Sequence, residues 1–101
     1  MKRIRIKFKH AFAEGYIRLV DDLLTKTYGE DDDKLLVAGL TEIRHRIYLK
    51  MAKQQKEYTL TLTPVQALSI RLLYTDFIND PSTYMGSHLM LISGQVEKTF
   101  A

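Results

Sequence analysis

Arg3, Arg5, Lys7 and Lys9 alternate with Ile4, Ile6 and Phe8, and the alternation recurs at Tyr58-Thr59-Leu60-Thr61-Leu62-Thr63 with threonine in the polar places. Guanidinium and ammonium groups offer positive charge and donors to phosphate oxygens and to guanine, while threonine brings a hydroxyl and a methyl that suit several bases. Side chains of an extended segment point alternately to opposite faces. Pairing of the two segments would therefore gather Arg3, Arg5, Lys7 and Lys9 beside Thr59 and Thr61 on one face, with the apolar residues on the other. These six residues are the candidate contacts for nucleic acid or another anion. A plainer reading is that Lys and Arg on an exposed strand discourage unwanted edge pairing.

Other reactive residue types are arranged less suggestively. His10, His45 and His88 lie far apart in sequence, and none sits three or four residues from another, the spacing at which metal ligands usually concentrate. Glu30-Asp31-Asp32-Asp33 lacks the alternating ligands, turn glycine and closing glutamate of a calcium loop; carboxylates capping a helix start explain it better. There is no glycine-rich phosphate loop, serine elbow or nucleophile beside a base. The sequence predicts no catalytic residue, metal ligand or cofactor, and a protein that is not an enzyme.

With 101 residues, 46% of them hydrophobic, the chain fits one compact domain, 1–101, able to build a core without disulfides or metal. The absence of cysteine rules out thiolate chemistry and fits a reducing compartment, so a cytoplasmic location is expected. The longest apolar run, Leu35 to Leu40, is far below the ~20 residues of a membrane span, and no membrane partner is expected. Met1-Lys2-Arg3 resembles the start of a secretory signal, but Arg5, Lys7 and Lys9 interrupt the apolar stretch that should follow. The net charge of +3 is compatible with an acidic partner and with simple solubility.

Each alternating segment precedes two helical patterns. Phe12, Tyr16, Leu19, Val20, Leu23 and Leu24 predict a helix from about Ala11 to Tyr28, with Gly29 placed to end it. Leu36, Leu40, Ile43, Ile47 and Met51 predict a second helix, from the Asp31 to Asp33 run to about Gln55, with cations from Arg44 to Lys56 near its end. Thr63-Pro64-Val65-Gln66 reads as a capping box with proline at the first helical position. The helix it opens is apolar around most of its circumference and is expected to be central and the most buried. Asp80 or Ser82 should cap a fourth helix, whose apolar line is Met85, Leu89, Ile92, Val96 and Phe100.

The order is therefore β-α-α-β-α-α, an α+β fold of four helices packed on a two-stranded antiparallel ribbon; an all-helical bundle with extended linkers is the alternative. Ile4, Ile6 and Phe8 map onto Tyr58, Leu60 and Leu62 at an offset of 54, Ile17 to Val20 onto Ile70 to Leu73 at 53, and Leu36 to Gly39 onto Leu91 to Gly94 at 55. These offsets suggest half-repeats of approximately 1–56 and 57–101 related by a pseudo-two-fold.

In outline the strand-helix-helix order and the alternating strands resemble ribbon-helix-helix regulators, whose paired strands read DNA; here one chain would supply both strands. The resemblance implies DNA binding through the basic ribbon. In that family the start of the second helix approaches the phosphate backbone, and here that place holds Asp31, Asp32 and Asp33, acids that would repel it. The expected function is a small non-catalytic interaction or regulatory domain, self-associating as a homodimer or binding a protein partner. Tyr48, Tyr58, Tyr74, Tyr84, Met85 and Met90 suit such an interface. DNA binding in the ribbon-helix-helix manner is the alternative.

Overall fold

Two strands, β1 (Ile4–Phe8) and β2 (Tyr58–Leu62), pair antiparallel with Ile6 opposite Leu60, Ile4 opposite Leu62 and Phe8 opposite Tyr58. All six of these side chains are buried, because the alternation turns every apolar residue of the ribbon to the same side. The computed structural model describes residues 3–25, 31–78 and 80–100. Four helices cover the ribbon's apolar face in an α+β fold: α1 (His10–Leu24), α2 (Asp31–Met51), α3 (Pro64–Leu72, continued by a π turn over Leu73–Phe77) and α4 (Tyr84–Phe100). The element order is the expected β-α-α-β-α-α.

The ribbon has its centre of two-fold symmetry at the Ile6–Leu60 pair. A rotation exchanging residues 54 apart carries Ile4 onto Tyr58 and Phe8 onto Leu62, and the observed register pairs them accordingly. The same offset relates the first residues of α1 and α3, His10 and Pro64, and the buried residues Phe12, Ala13 and Tyr16 to the buried Gln66, Ala67 and Ile70. For the second helix of each half the offset is 53, which carries Leu36, Leu40 and Ile43 onto Leu89, Ser93 and Val96, all buried. The expected offset of 55 would instead set buried Leu36 against Leu91, which is 67% exposed. Each second helix packs across the centre, α4 against β1 and α2 against β2.

Neighbouring helices are joined by specific contacts. Buried Tyr16 donates its hydroxyl to the Leu40 carbonyl at 2.8 Å, and burial pushes that phenol well above its ordinary range, so it remains a neutral donor. Arg44 grips Asp21 through Nε and Nη2, at 2.7 and 3.2 Å, fastening α2 to α1 with a bidentate pair. Phe8, Phe12 and Tyr16 follow one another with ring centroids 5.6 and 6.2 Å apart, and Phe12 also meets His88 of α4 at 5.5 Å.

Four details depart from expectation. The first helix ends at Leu24, with Thr25 as C-cap, and the Gly29 cap lies outside the described residues, as do the side chains of the Asp31 to Asp33 run. The second helix stops at Met51, where Ala52 and Lys53 N–H donate to the carbonyls three residues back, of Leu49 and Lys50, at 3.3 and 3.4 Å and tighten its last turn. The third helix is not the most buried: Val65, Leu68 and Leu72 stand 66%, 43% and 46% exposed, because α3 is covered on only part of its circumference. The fourth helix is capped by neither Asp80 nor Ser82. Thr83 Oγ1 accepts from Gly86 N–H at 3.0 Å, while Asp80 accepts from Ser82 N–H and Oγ–H in a side-chain turn that holds its carboxyl below the usual carboxylate range.

Glycines of α4 illustrate how packing decides the sign of a substitution. A Cβ on Gly86 would collide with the Asp80 carbonyl, a backbone atom, whereas one on Gly94 would meet nothing. Alanine gains up to ~1 kcal/mol over glycine in a helix interior, but overpacking costs ~1–3 kcal/mol. Gly94→Ala should therefore raise the urea midpoint, with a gain of up to ~1 kcal/mol, and Gly86→Ala should lower it; two shifts of the same sign would contradict this packing.

Candidate nucleic-acid interface

The outer face of the ribbon is built by the strands alone. Arg5 lies opposite Thr61 and Lys7 opposite Thr59; both cations are exposed and both threonines half-buried. Continuing the register by one residue at each end aligns Arg3 with Thr63 and Lys9 with Glu57, and Arg3, Lys9 and Glu57 are exposed. All six sequence candidates, Arg3, Arg5, Lys7, Lys9, Thr59 and Thr61, thus belong to one side of the sheet. Among the described residues, no hydrogen bond or ion pair engages the side chains of Arg5, Lys7, Thr59 or Thr61. Unpaired cations keep their full capacity for a ligand.

Three anchors stiffen this face. At one margin Gln95 of α4 donates to the Arg5 carbonyl at 3.1 Å, satisfying an edge acceptor that β2 does not reach. A cleft of about 130 Å³ lies beside it, lined by residues including Lys7, His88 and Gln95. At the start of β2, the Tyr58 hydroxyl accepts from Gln55 N–H at 3.3 Å and meets His10 Nδ1 at 3.1 Å, and His10 Nε2 lies 2.8 Å from Glu14 Oε1. A carboxylate, an imidazole and a phenol stand here in series, with Tyr58 fully buried and His10 and Glu14 partly exposed. The chain works as a latch holding the first turn of α1 to the ribbon. Among the described residues, no three potential ligand side chains come together to hold a metal ion.

At the other end, Thr63 and Gln66 form the anticipated capping box: Thr63 Oγ1 accepts from Gln66 N–H at 3.3 Å and Gln66 Oε1 accepts from Thr63 N–H at 3.2 Å. The buried Gln66 carries two further bonds that sequence reasoning missed. Its Oε1 also accepts from Arg46 Nη1 at 2.7 Å and its Nε2 donates to Glu42 Oε2 at 3.3 Å. Glu42, Arg46 and Gln66, with Ala38, Thr41 and His45, line an open groove of about 730 Å³ between α2 and α3. The signal available was the 54-residue offset, which puts polar Gln66 at the buried place that Phe12 occupies in the first half.

Expected cations and interface residues divide by environment. Arg44 and Arg46 are committed to Asp21 and Gln66, whereas Lys50, Lys53 and Lys56 are exposed. Of the tyrosines, Tyr48 and Tyr84 are exposed, Tyr74 is half-buried and Tyr58 belongs to the core; Met90 is exposed and Met85 half-buried.

No known protein family, curated protein or solved structure matches this chain. Among the described residues, no helix is long and apolar enough to cross a membrane.

The cap and the polar joint make distinct contributions to stability. Thr63→Ala should cost ~1 kcal/mol, the usual worth of a side-chain N-cap. Gln66→Ala should cost more, ~1–3 kcal/mol, because Arg46 and Glu42 then lose their common partner. Chemical unfolding of both variants would measure the order, and an equal or smaller loss for Gln66→Ala would mean that the joint contributes nothing beyond the cap.

Proposed function

We propose that this protein is a non-catalytic DNA-binding domain that lays its two-stranded ribbon in the major groove of a duplex. The observation carrying this reading is the ribbon's uncovered outer face, where Arg5 and Lys7 stand exposed and unpaired among the described residues beside Thr59 and Thr61. A major groove ~12 Å wide admits a two-stranded ribbon, and Arg, Lys and Thr are side chains that bond or touch base edges there. The deep, narrow major groove of A-form RNA does not admit side chains in this way. Arg3 and Lys9, at opposite ends of β1, are suited to the flanking phosphates. The helices support the ribbon from behind, and burial of its apolar face specifies its register.

A second reading, a protein partner or second copy of the chain, is favoured by one observation. Val65, Leu68 and Leu72 form an exposed apolar stripe on α3, at places that the 54-residue offset equates with Ala11, Glu14 and Arg18 of α1. The two functions are compatible, since α3 projects its stripe from a helix and the cations project from the sheet.

Titration of a fluorescent mixed-sequence duplex should give micromolar binding at low salt that weakens steeply as salt rises, since neutralised phosphates release counterions. Arg5→Glu/Lys7→Glu should abolish it, and Lys9→Ala should lower the slope of log K against log salt by about 1; a folded double variant that binds like the parent would refute the assignment. For the stripe, Val65→Asp/Leu72→Lys should leave duplex affinity intact and eliminate any concentration-dependent association seen in sedimentation. Persistence of that association would clear α3 of the role.

A further inference from the structure

The two-stranded sheet has two edges, and they are finished differently. In an antiparallel strand the N–H and C=O of one residue point to the same side, and successive residues alternate. Gln95 of α4 donates to the Arg5 carbonyl, Ala13 N–H to the Lys9 carbonyl, and Thr63 N–H is spent on Gln66. The residues between the apolar ones therefore direct their backbone away from the partner strand, and the ladder falls to the pairs Ile4–Leu62, Ile6–Leu60 and Phe8–Tyr58. On β2 the outward backbone belongs to Thr59 and Thr61. Among the described residues, no hydrogen bond reaches the N–H or C=O of either, whereas α4 closes part of the β1 edge through Gln95.

We propose that this free edge of β2 is a docking site for an extended, acidic segment of a partner protein, which joins the sheet as a third strand. The site is separate from the outward side chains of the ribbon and does not depend on duplex binding.

The surroundings of the edge choose the occupant. Donors and acceptors spaced along a strand are met together by another extended backbone. Beside the edge lies a groove of about 290 Å³ lined by Arg46, Leu49, Lys50 and Leu60, which sets one turn of α2 against the middle of β2. Leu49 is exposed, so the residue of the added strand opposite Leu60, which shares its face, should be apolar. Residues two places to either side point the same way, toward Arg46 and Lys50, and should be acidic. Arg46 commits Nη1 to Gln66 and keeps further guanidinium donors for a carboxylate. Among the described residues, nothing pairs with the Lys50 ammonium. Lys53 and Lys56 extend the positive charge toward β2, with Glu57 the acid at its start, and Glu42, the nearest acid along α2, is bonded to Gln66. The field over the edge thus favours a negative segment. A second copy fits poorly, because pairing β2 with β2 would bring two such grooves, each with Arg46 and Lys50, face to face.

Selection of linear peptides from a random displayed library against the full chain, followed by NMR titration with the winning peptide as a synthetic, tests the proposal. Winners should carry an apolar residue with Asp or Glu two places to either side. The bound peptide should shift the amide resonances of Thr59 and Thr61 and slow their hydrogen exchange. A version methylated at the backbone nitrogens that face β2 keeps its charges and should lose binding. Lys50→Glu, with an unchanged circular dichroism spectrum, should weaken binding about tenfold or more, since a like charge then faces the peptide. Failure to enrich any peptide, enrichment of basic ones, protection of amides elsewhere than β2, or affinity indifferent to the methylation or to Lys50→Glu overturns the assignment. Exchange at Thr59 and Thr61 that slows as protein concentration rises, with no peptide present, overturns it in favour of a second copy.

Discussion

Pairing Ile6 with Leu60 is the constraint on which the rest of the molecule depends. A slip of one residue would turn Ile4, Ile6 and Phe8 outward and bring Arg5 and Lys7 into the core, so burial of six apolar ribbon residues specifies the register. Each fully buried large side chain is worth ~1.5–3 kcal/mol, and a two-stranded ribbon without such a backing is marginal in water. The ribbon and its helices are therefore stable only together. The strands are also far apart in sequence, and closing the segment between Phe8 and Tyr58 costs entropy. The α1–α2 pair offsets part of it through the Tyr16–Leu40 bond and the Arg44–Asp21 clamp.

Symmetry holds where packing demands it and lapses where it does not. Each strand needs a first helix beginning directly after it and a second helix crossing from the other half, so buried positions recur at nearly constant offset. Exposed positions carry no such requirement. There the halves diverge: cations on β1 against Thr59 and Thr61 on β2, Glu14 and Arg18 on α1 against Leu68 and Leu72 on α3. The functional readings arise from this divergence, because a face freed from packing can be shaped by a ligand.

One buried place breaks the symmetry as well. Phe12 joins an aromatic series reaching α4, while its counterpart Gln66 is held by Thr63, Arg46 and Glu42 in a polar joint between α2 and α3. A buried amide costs little when all its groups are bonded and much when one is orphaned. The joint therefore specifies how α2 meets α3 more sharply than an apolar contact of the same volume would.

The amino-acid sequence by itself determined the strands, the order of elements, the capping box at Thr63 and the outward placement of Arg5, Lys7, Thr59 and Thr61, because each is encoded by periodicity or by neighbours within four residues. Tertiary structure alone decided which apolar residues remain outside: Val65, Leu68 and Leu72 look like core on a helical wheel and lie in solvent because, among the described residues, no element covers that side of α3. It also decided that Thr83, rather than Asp80 or Ser82, caps α4, since the turn packed against Gly86 occupies the Asp80 carboxylate first. The Arg46–Gln66–Glu42 joint and the His10–Tyr58 bond of the latch were likewise beyond sequence. Their partners lie 20 to 48 residues apart, and no local pattern records which distant side chain will complete a buried hydrogen bond.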